Sequence, residues 1–135
     1  MDNVLVTGAS RGIGLAIATR LAHDGFSVVA VARRPSEALD TAIVEAHGAL
    51  HFEPLDLSDI EALPAFVRGL RARRGPIYGL VNNAGASAEG LLANMAVADM
   101  EALLRLNVLS PMALTKYVVR GMMADGRGQI GRAHV

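Results

Sequence analysis

Thr7-Gly8-Ala9-Ser10-Arg11-Gly12-Ile13-Gly14 follows the apolar run Val4-Leu5-Val6 and opens the helical pattern Leu15-Ala16-Ile17-Ala18. The order is strand, glycine turn, helix. Such a layout turns backbone N–H groups and the positive end of a helix toward one point, where a phosphate is stabilised. Glycine has no Cβ, so the backbone there can turn tightly and lie against a pyrophosphate. The glycines stand at positions 8, 12 and 14, not in the G-x-G-x-x-G spacing. Alone, the segment reads equally well as a packing or capping turn.

Its surroundings decide. A second apolar run, Val28 to Ala32, ends in Arg33-Arg34. A third, Leu50 to Leu55, ends at Asp56-Leu57, and a fourth, Ile77 to Val81, ends in Asn82-Asn83-Ala84-Gly85. Amphipathic helical stretches lie between and after them, over Ile13–His23, Glu37–Ala46, Ile60–Arg73 and Ala98–Met123. Strand and helix in alternation predict βαβ units and a doubly wound parallel sheet with helices on both faces. Right-handed crossovers give strand order 3-2-1-4, with any ligand at the carboxyl ends of the strands. All the motifs fall at those ends.

Composition bounds the function. The 135 residues suffice for one domain with a core. Basic and acidic residues balance at 13 each, so nothing points to nucleic acid or an anionic membrane surface. There is no cysteine, hence no disulfide framework and no thiol chemistry. No apolar run reaches bilayer length, and the first residues enter a strand with no signal peptide before it. The expectation is a soluble cytoplasmic protein. His23, His47 and His51 lack metal-ligand spacing, and no metal site is expected. Met95, Met100, Met112, Met122 and Met123 are expected to fill core or subunit interfaces.

Thr-Gly-x-x-x-Gly-x-Gly, Asp-Leu, Asn-Asn-Ala-Gly and Asn107 in a downstream helix, in this order, resemble the short-chain dehydrogenase/reductase family. The resemblance runs to about Gly128 and implies a Rossmann-type fold. It implies cofactor contacts from Gly8, Ser10, Arg11, Gly12, Ile13 and Gly14, from Arg33, from Asp56 and Leu57, and from Asn82, Ala84 and Gly85. Asp56 would accept from the adenine amino group, with Leu57 near the ring; the alternative for Asp56 is a helix N-cap, for which Ser58 is the better candidate. NAD-preferring members carry an acid at the end of the second strand, where this chain has Ala32. Arg11 and Arg33 would bind a 2′-phosphate by charge-assisted hydrogen bonds, so NADP(H) is expected over NAD(H). Arg34 reads as solvated.

In the family, hydride passes from the cofactor to a carbonyl carbon while a Tyr, assisted by a Lys, protonates the oxygen and a Ser hydrogen-bonds it. Of the Asn-Ser-Tyr-Lys set only Asn107 is matched here, with an indirect part: it disturbs its helix and holds a water in the proton relay. Its neighbours Leu104, Leu106 and Val108 suggest an apolar setting, and Pro111 one turn later fits a kink. Tyr117 has Gly121, not Lys, four residues on, and Ser87 and Ser110 precede the place of the catalytic Ser. The motifs look most like those of 3-oxoacyl-[acyl-carrier-protein] reductases, and alcohol and sugar dehydrogenases share them. Implied partners are a carbonyl, alcohol or acyl-thioester substrate and further copies of the chain, as a dimer or tetramer.

Family members are about twice this long. Gly126 to Ile130 resembles the start of a fifth strand and then breaks into Gly131-Arg132-Ala133-His134-Val135. Ile-Gly-Arg-Ala-His-Val can be encoded by ATC GGA AGA GCA CAC GTC, a string that resembles a common sequencing-library adapter. Residues 1–129 therefore read as a cofactor-binding half and 130–135 as a non-native tail; a natural or engineered truncation is the alternative. The sheet is expected to stop after its fourth strand, leaving that strand's edge bare. A non-catalytic NADP(H)-binding module and a non-functional truncated product are the competing functional readings. An ATPase reading fails because no Gly-Lys-Ser/Thr follows the glycines, and sugar-nucleotide epimerases space their glycines differently.

Overall fold

In the computed structural model, which describes residues 1–88 and 90–133, five parallel strands alternate with helices. The strands are β1 (Asn3–Thr7), β2 (Ser27–Ala32), β3 (Leu50–Pro54), β4 (Ile77–Asn82) and β5 (Gln129–Arg132). The helices are α1 (Gly12–His23), α2 (Glu37–Glu45), α3 (Leu63–Arg74), α4 (Val97–Leu104) and α5 (Ser110–Asp125). The sheet runs β3-β2-β1-β4-β5. This is the expected 3-2-1-4 order with one strand added.

Side chains alternate across each strand, and both faces of β1, β2 and β4 are covered, which is why these strands are largely continuous apolar runs. Val4, Val6, Val28 and Ala30 pack on one face with Ala18 of α1 and with Leu39 and Ala42 of α2. Leu5, Val29, Val31 and Leu80 point the other way, against Val67 and Leu70 of α3 and Leu114, Val118 and Met122 of α5. Each fully buried Leu or Val stabilises the fold by about 1.5–3 kcal/mol before entropy is subtracted. Met122 is core as expected, whereas Met112 and Met123 are exposed.

Two differences from expectation concern boundaries. The helix expected from Ile60 begins as a 3-10 turn, Ile60–Ala62, and becomes α-helical only at Leu63. Pro64 has no N–H to give residue 60, so it favours the first turn of the helix over its interior. The second difference is β5. It pairs Gly79 to Asn82 with Gln129 to Arg132, so β4 is not a bare edge. Residues 130–132, read as tail, thus lie in the sheet; strand pairing uses backbone groups and accepts almost any side chain. His134 and Val135 lie outside the described residues. No described helix is long and apolar enough to cross a membrane.

Candidate functional site

The glycine turn leaves β1 in a left-handed conformation, with φ of +62° at Gly8 and +58° at Gly12. A Cβ on Gly8 would lie 2.8 Å from Ala84 Cα, and one on Gly14 would run into the Gly8 carbonyl and Asn83 Nδ2. The turn is therefore pressed against the end of β4. Buried Thr7 fastens the two: its Oγ1 accepts from the Asn83 and Ala84 N–H groups, each at 3.0 Å. Asn83 Nδ2 returns a bond to the Gly8 carbonyl at 3.1 Å. Neither role is visible in the sequence, because Thr7 and Asn83 each find their partner across the sheet. Thr7→Val keeps the shape but orphans both amides. It should cost about 1–3 kcal/mol, read as a lower melting temperature, and Thr7→Ser should lose less because it keeps the acceptor.

Arg11 is the extended N-cap residue of α1, and no side chain caps the helix. Its first-turn N–H groups thus face outward with the positive end of the dipole. The β2–α2 loop closes over one side. Ser36 caps α2 by accepting from Leu39 N at 3.0 Å, and its hydroxyl donates to the Ser10 carbonyl. Pro35-Ser36-Glu37 carries the N-cap signature by which this residue could be found. Arg33, Arg34 and Arg11 are exposed, and no acid ends β2.

Asp56 follows β3. Its Oδ1 accepts from the Ser58 N–H at 3.0 Å and the Ser58 hydroxyl at 2.6 Å. These bonds, with Arg33's charge adding, hold the Asp56 carboxyl below the usual range. Ser58 thus serves Asp56 instead of capping the following turn, which corrects the expectation. Leu57 is buried in the core, so its side chain packs under the sheet's helices and only its backbone can face a ligand.

Asn82 Nδ2 donates to Thr115 Oγ1 of α5 at 3.0 Å. Asn107 lies in a π-helical turn, Arg105–Leu109, that joins α4 to α5. The extra residue fits Pro111, which cannot donate to the ladder. Asn107 grips one residue with both ends of its amide: Oδ1 accepts from Ala86 N at 2.8 Å and Nδ2 donates to Ala86 O at 2.6 Å. A Cβ on Gly85 would lie 2.7 Å from that Oδ1. The apolar setting inferred from neighbours is met in part: Leu106 packs against the core, and Val108, Pro111, Met112 and Val119 line a groove beside Asn107. Leu104 is 62 % and Val108 48 % exposed, since at a helical turn sequence neighbours point in different directions.

Asn82, Asn107, Pro111, Thr115, Lys116 and Arg132 line a groove of about 560 Å³. A second, of about 770 Å³, is lined by Ala86, Ala88, Leu91, Met95, Leu103 and Leu106 among others. Among the described residues no group of three His, Asp or Glu side chains could hold a metal. Burial, then the Arg74 charge, lowers the His51 pKa and favours its neutral form.

A doubly wound parallel sheet, a glycine turn locked at its switch point and an uncapped helix behind it define a Rossmann-type, nucleotide-binding class of fold. The family model described as short chain dehydrogenase matches residues 2–131. The chain is 38% identical over 129 residues to the ketoacyl reductase HetN of Nostoc, covering 94% of this chain and 45% of that one. It is 37% identical over 127 residues to the 3-oxoacyl-[acyl-carrier-protein] reductase FabG of Escherichia coli, covering 93% and 51%. A metagenomic short-chain oxidoreductase solved in complex with NADP superposes with a TM-score of 0.89 at 39% identity, covering 97% and 61%. This chain belongs to the short-chain dehydrogenase/reductase family. It spans about half the length of the curated relatives it matches.

Proposed function

We propose that this chain is the cofactor-binding half of an NADP(H)-dependent short-chain oxidoreductase that interconverts a carbonyl and an alcohol, with 3-oxoacyl thioesters as the favoured substrate class. The observation that carries the reading is the uncapped N-terminus of α1 behind the glycine turn, with Arg11 and Arg33 exposed and Ala32 where an acid would stand. These residues fit a dinucleotide. The Gly8–Gly14 backbone would meet the pyrophosphate, and Arg11 and Arg33 a 2′-phosphate. Asp56 keeps one carboxylate oxygen for the adenine amino group, because Ser58 occupies the other. Asn82 to Gly85 would pass beneath the ribose. When bound, the nicotinamide supplies the hydride. Asn107 holds Gly85 and Ala86 in place, which leaves its backbone carbonyl as the group for a relay water. The names of HetN and FabG support the substrate class.

Charge-assisted contacts to a phosphate contribute about 1.5–3 kcal/mol. NADPH should therefore bind this chain roughly tenfold or more tighter than NADH, as measured by nucleotide fluorescence. Ala32→Asp with Arg33→Gln should reverse the order, since a carboxylate would face the phosphate. Preference for NADH before any substitution would overturn the assignment.

We also propose assembly into a homo-oligomer through the apolar face of α4 and α5, where Leu104, Val108, Leu109 and Met112 are exposed, and a cytoplasmic location. Residues 130–135 remain our candidate for a non-native tail; the gene sequence past Gln129 tests it.

A further inference from the structure

The segment between β3 and the 3-10 turn, residues 55–59, has no repeating ladder of its own, yet α4–α5 holds it from above. Arg105 Nε donates to the Ser58 carbonyl at 2.7 Å. Ser110 Oγ donates to the Leu57 carbonyl. These two donors sit at the start of the π-turn and just past its end, with Asn107 and its bonds to Ala86 between them.

Peptide geometry links these donors to Asp56. In a planar trans peptide, C=O and N–H point in opposite directions. Fixing the Leu57 carbonyl therefore fixes the direction of the Ser58 N–H, which is donated to Asp56 Oδ1. Fixing the Ser58 carbonyl orients the next peptide plane. With both planes set, Ser58 φ and ψ are set, and so is the Cβ from which its hydroxyl, the second donor to Asp56, reaches in one rotamer. A bond from Asp59 N to the Asp56 carbonyl, 3.1 Å, closes the turn.

We propose that Arg105 and Ser110 are positioning residues: they clamp the two peptide planes around Ser58 and thereby aim the free oxygen of Asp56 at the nucleotide. The proposal rests on the reading of Asp56 as the adenine-side contact. Asp56 has Arg33 as its charged neighbour, so the clamp acts by geometry and not through the charge of Arg105. The single π-turn then reaches both loops of the site, Asp56–Ser58 through Arg105 and Ser110, and Gly85–Ala86 through Asn107.

The test uses the 135-residue chain and follows the Asp56 carboxyl by NMR titration. Salt near 1 M screens the bare loss of a charge over about 3 Å. Arg105→Met keeps the aliphatic stem and removes the donors; Ser110→Ala removes a neutral hydroxyl. Both should move the Asp56 midpoint upward, toward the ordinary value of about 3.9. Arg105→Lys, which restores a donor, should recover part of the shift. Binding of 2′,5′-ADP should weaken roughly three- to tenfold in both variants, the scale of one loosened hydrogen bond, with reduced nicotinamide mononucleotide unaffected. A wild-type midpoint in either variant overturns the clamp. Should Ser110→Ala not fold, the midpoint of Arg105→Met alone decides. Failure of the unmodified chain to bind 2′,5′-ADP would sink the adenine-side reading, while the midpoints still decide the clamp.

Discussion

Gly14→Ala should lower the melting temperature of this chain by roughly 4–12 °C, where a methyl group at an open helix position would raise it, at about 4 °C per kcal/mol for a domain of this size. Ala is the better helix former by roughly 1 kcal/mol, so an open site would be stabilised. This one is closed. The new Cβ would collide with the Gly8 carbonyl and with Asn83 Nδ2, the two atoms that bond each other across the turn. Neither is the loose end of a flexible side chain. Relief means moving the turn off Ala84 and breaking the Asn83 bond. Overpacking costs about 1–3 kcal/mol and each broken hydrogen bond about 1 kcal/mol. After the helix gain is subtracted, roughly 1–3 kcal/mol of destabilisation remains, an appreciable part of the ~5–15 kcal/mol that holds a domain. Gly12 is the control. Its φ of +58° is disfavoured for alanine by about 1–2 kcal/mol, yet nothing lies near its missing Cβ. Gly12→Ala should therefore melt above Gly14→Ala. Circular dichroism melts of the three proteins measure this, and equal midpoints for the two variants would show that the turn is looser than its contacts state.

The same contrast between local and distant partners separates what the sequence reveals from what it hides. β1 to β4 and their helices follow from apolar runs and 3.6-residue periodicity, which are local signals. Strand order follows from the handedness of crossovers. Gly8, Gly12 and Gly14 can be named because a turn before a helix imposes glycine locally. What stays hidden depends on partners far apart in the chain. Thr7 and Asn83 are separated by 76 positions and meet only because β1 and β4 are neighbours. Arg105 reaches Ser58 across 47 positions, so in sequence it reads as one more surface charge. Asn107 is legible, but its bond to Ala86 and the exposure of Leu104 and Val108 are not, because a π-turn shifts the faces of a helix by a residue. β5 shows in the sequence only as a beginning. Its burial is slight and its pairing is backbone alone, so side chains carry little signal.

Incubated with NADPH and a panel of ketones and 3-oxoacyl thioesters, this chain should show no turnover above buffer. The reaction needs an oriented acid for the developing alkoxide, which contributes about 10²–10⁴-fold. In the family reading that acid is a Tyr with a Lys four residues on. This chain has two tyrosines, Tyr78 and Tyr117, and one lysine, Lys116. Tyr78 is near the start of β4, at the end of the sheet away from the glycine turn; its ring stacks on Phe26 at 6.4 Å, and Arg127 covers it at 4.6 Å. Tyr117 packs against the core from α5, and Lys116 Nζ stands 5.3 Å from its ring centroid, an arrangement of adjacent residues and not of a relay pair. Neither has a lysine four residues on, where the chain has Asn82 and Gly121. In the proposed reading, cofactor binding draws on different residues, Gly8 to Gly14, Arg33 and Asp56, so NADPH should bind while its absorbance stays constant in the presence of substrate. Saturable NADPH consumption would overturn this, and its loss in Tyr117→Phe would name the acid that the geometry does not supply.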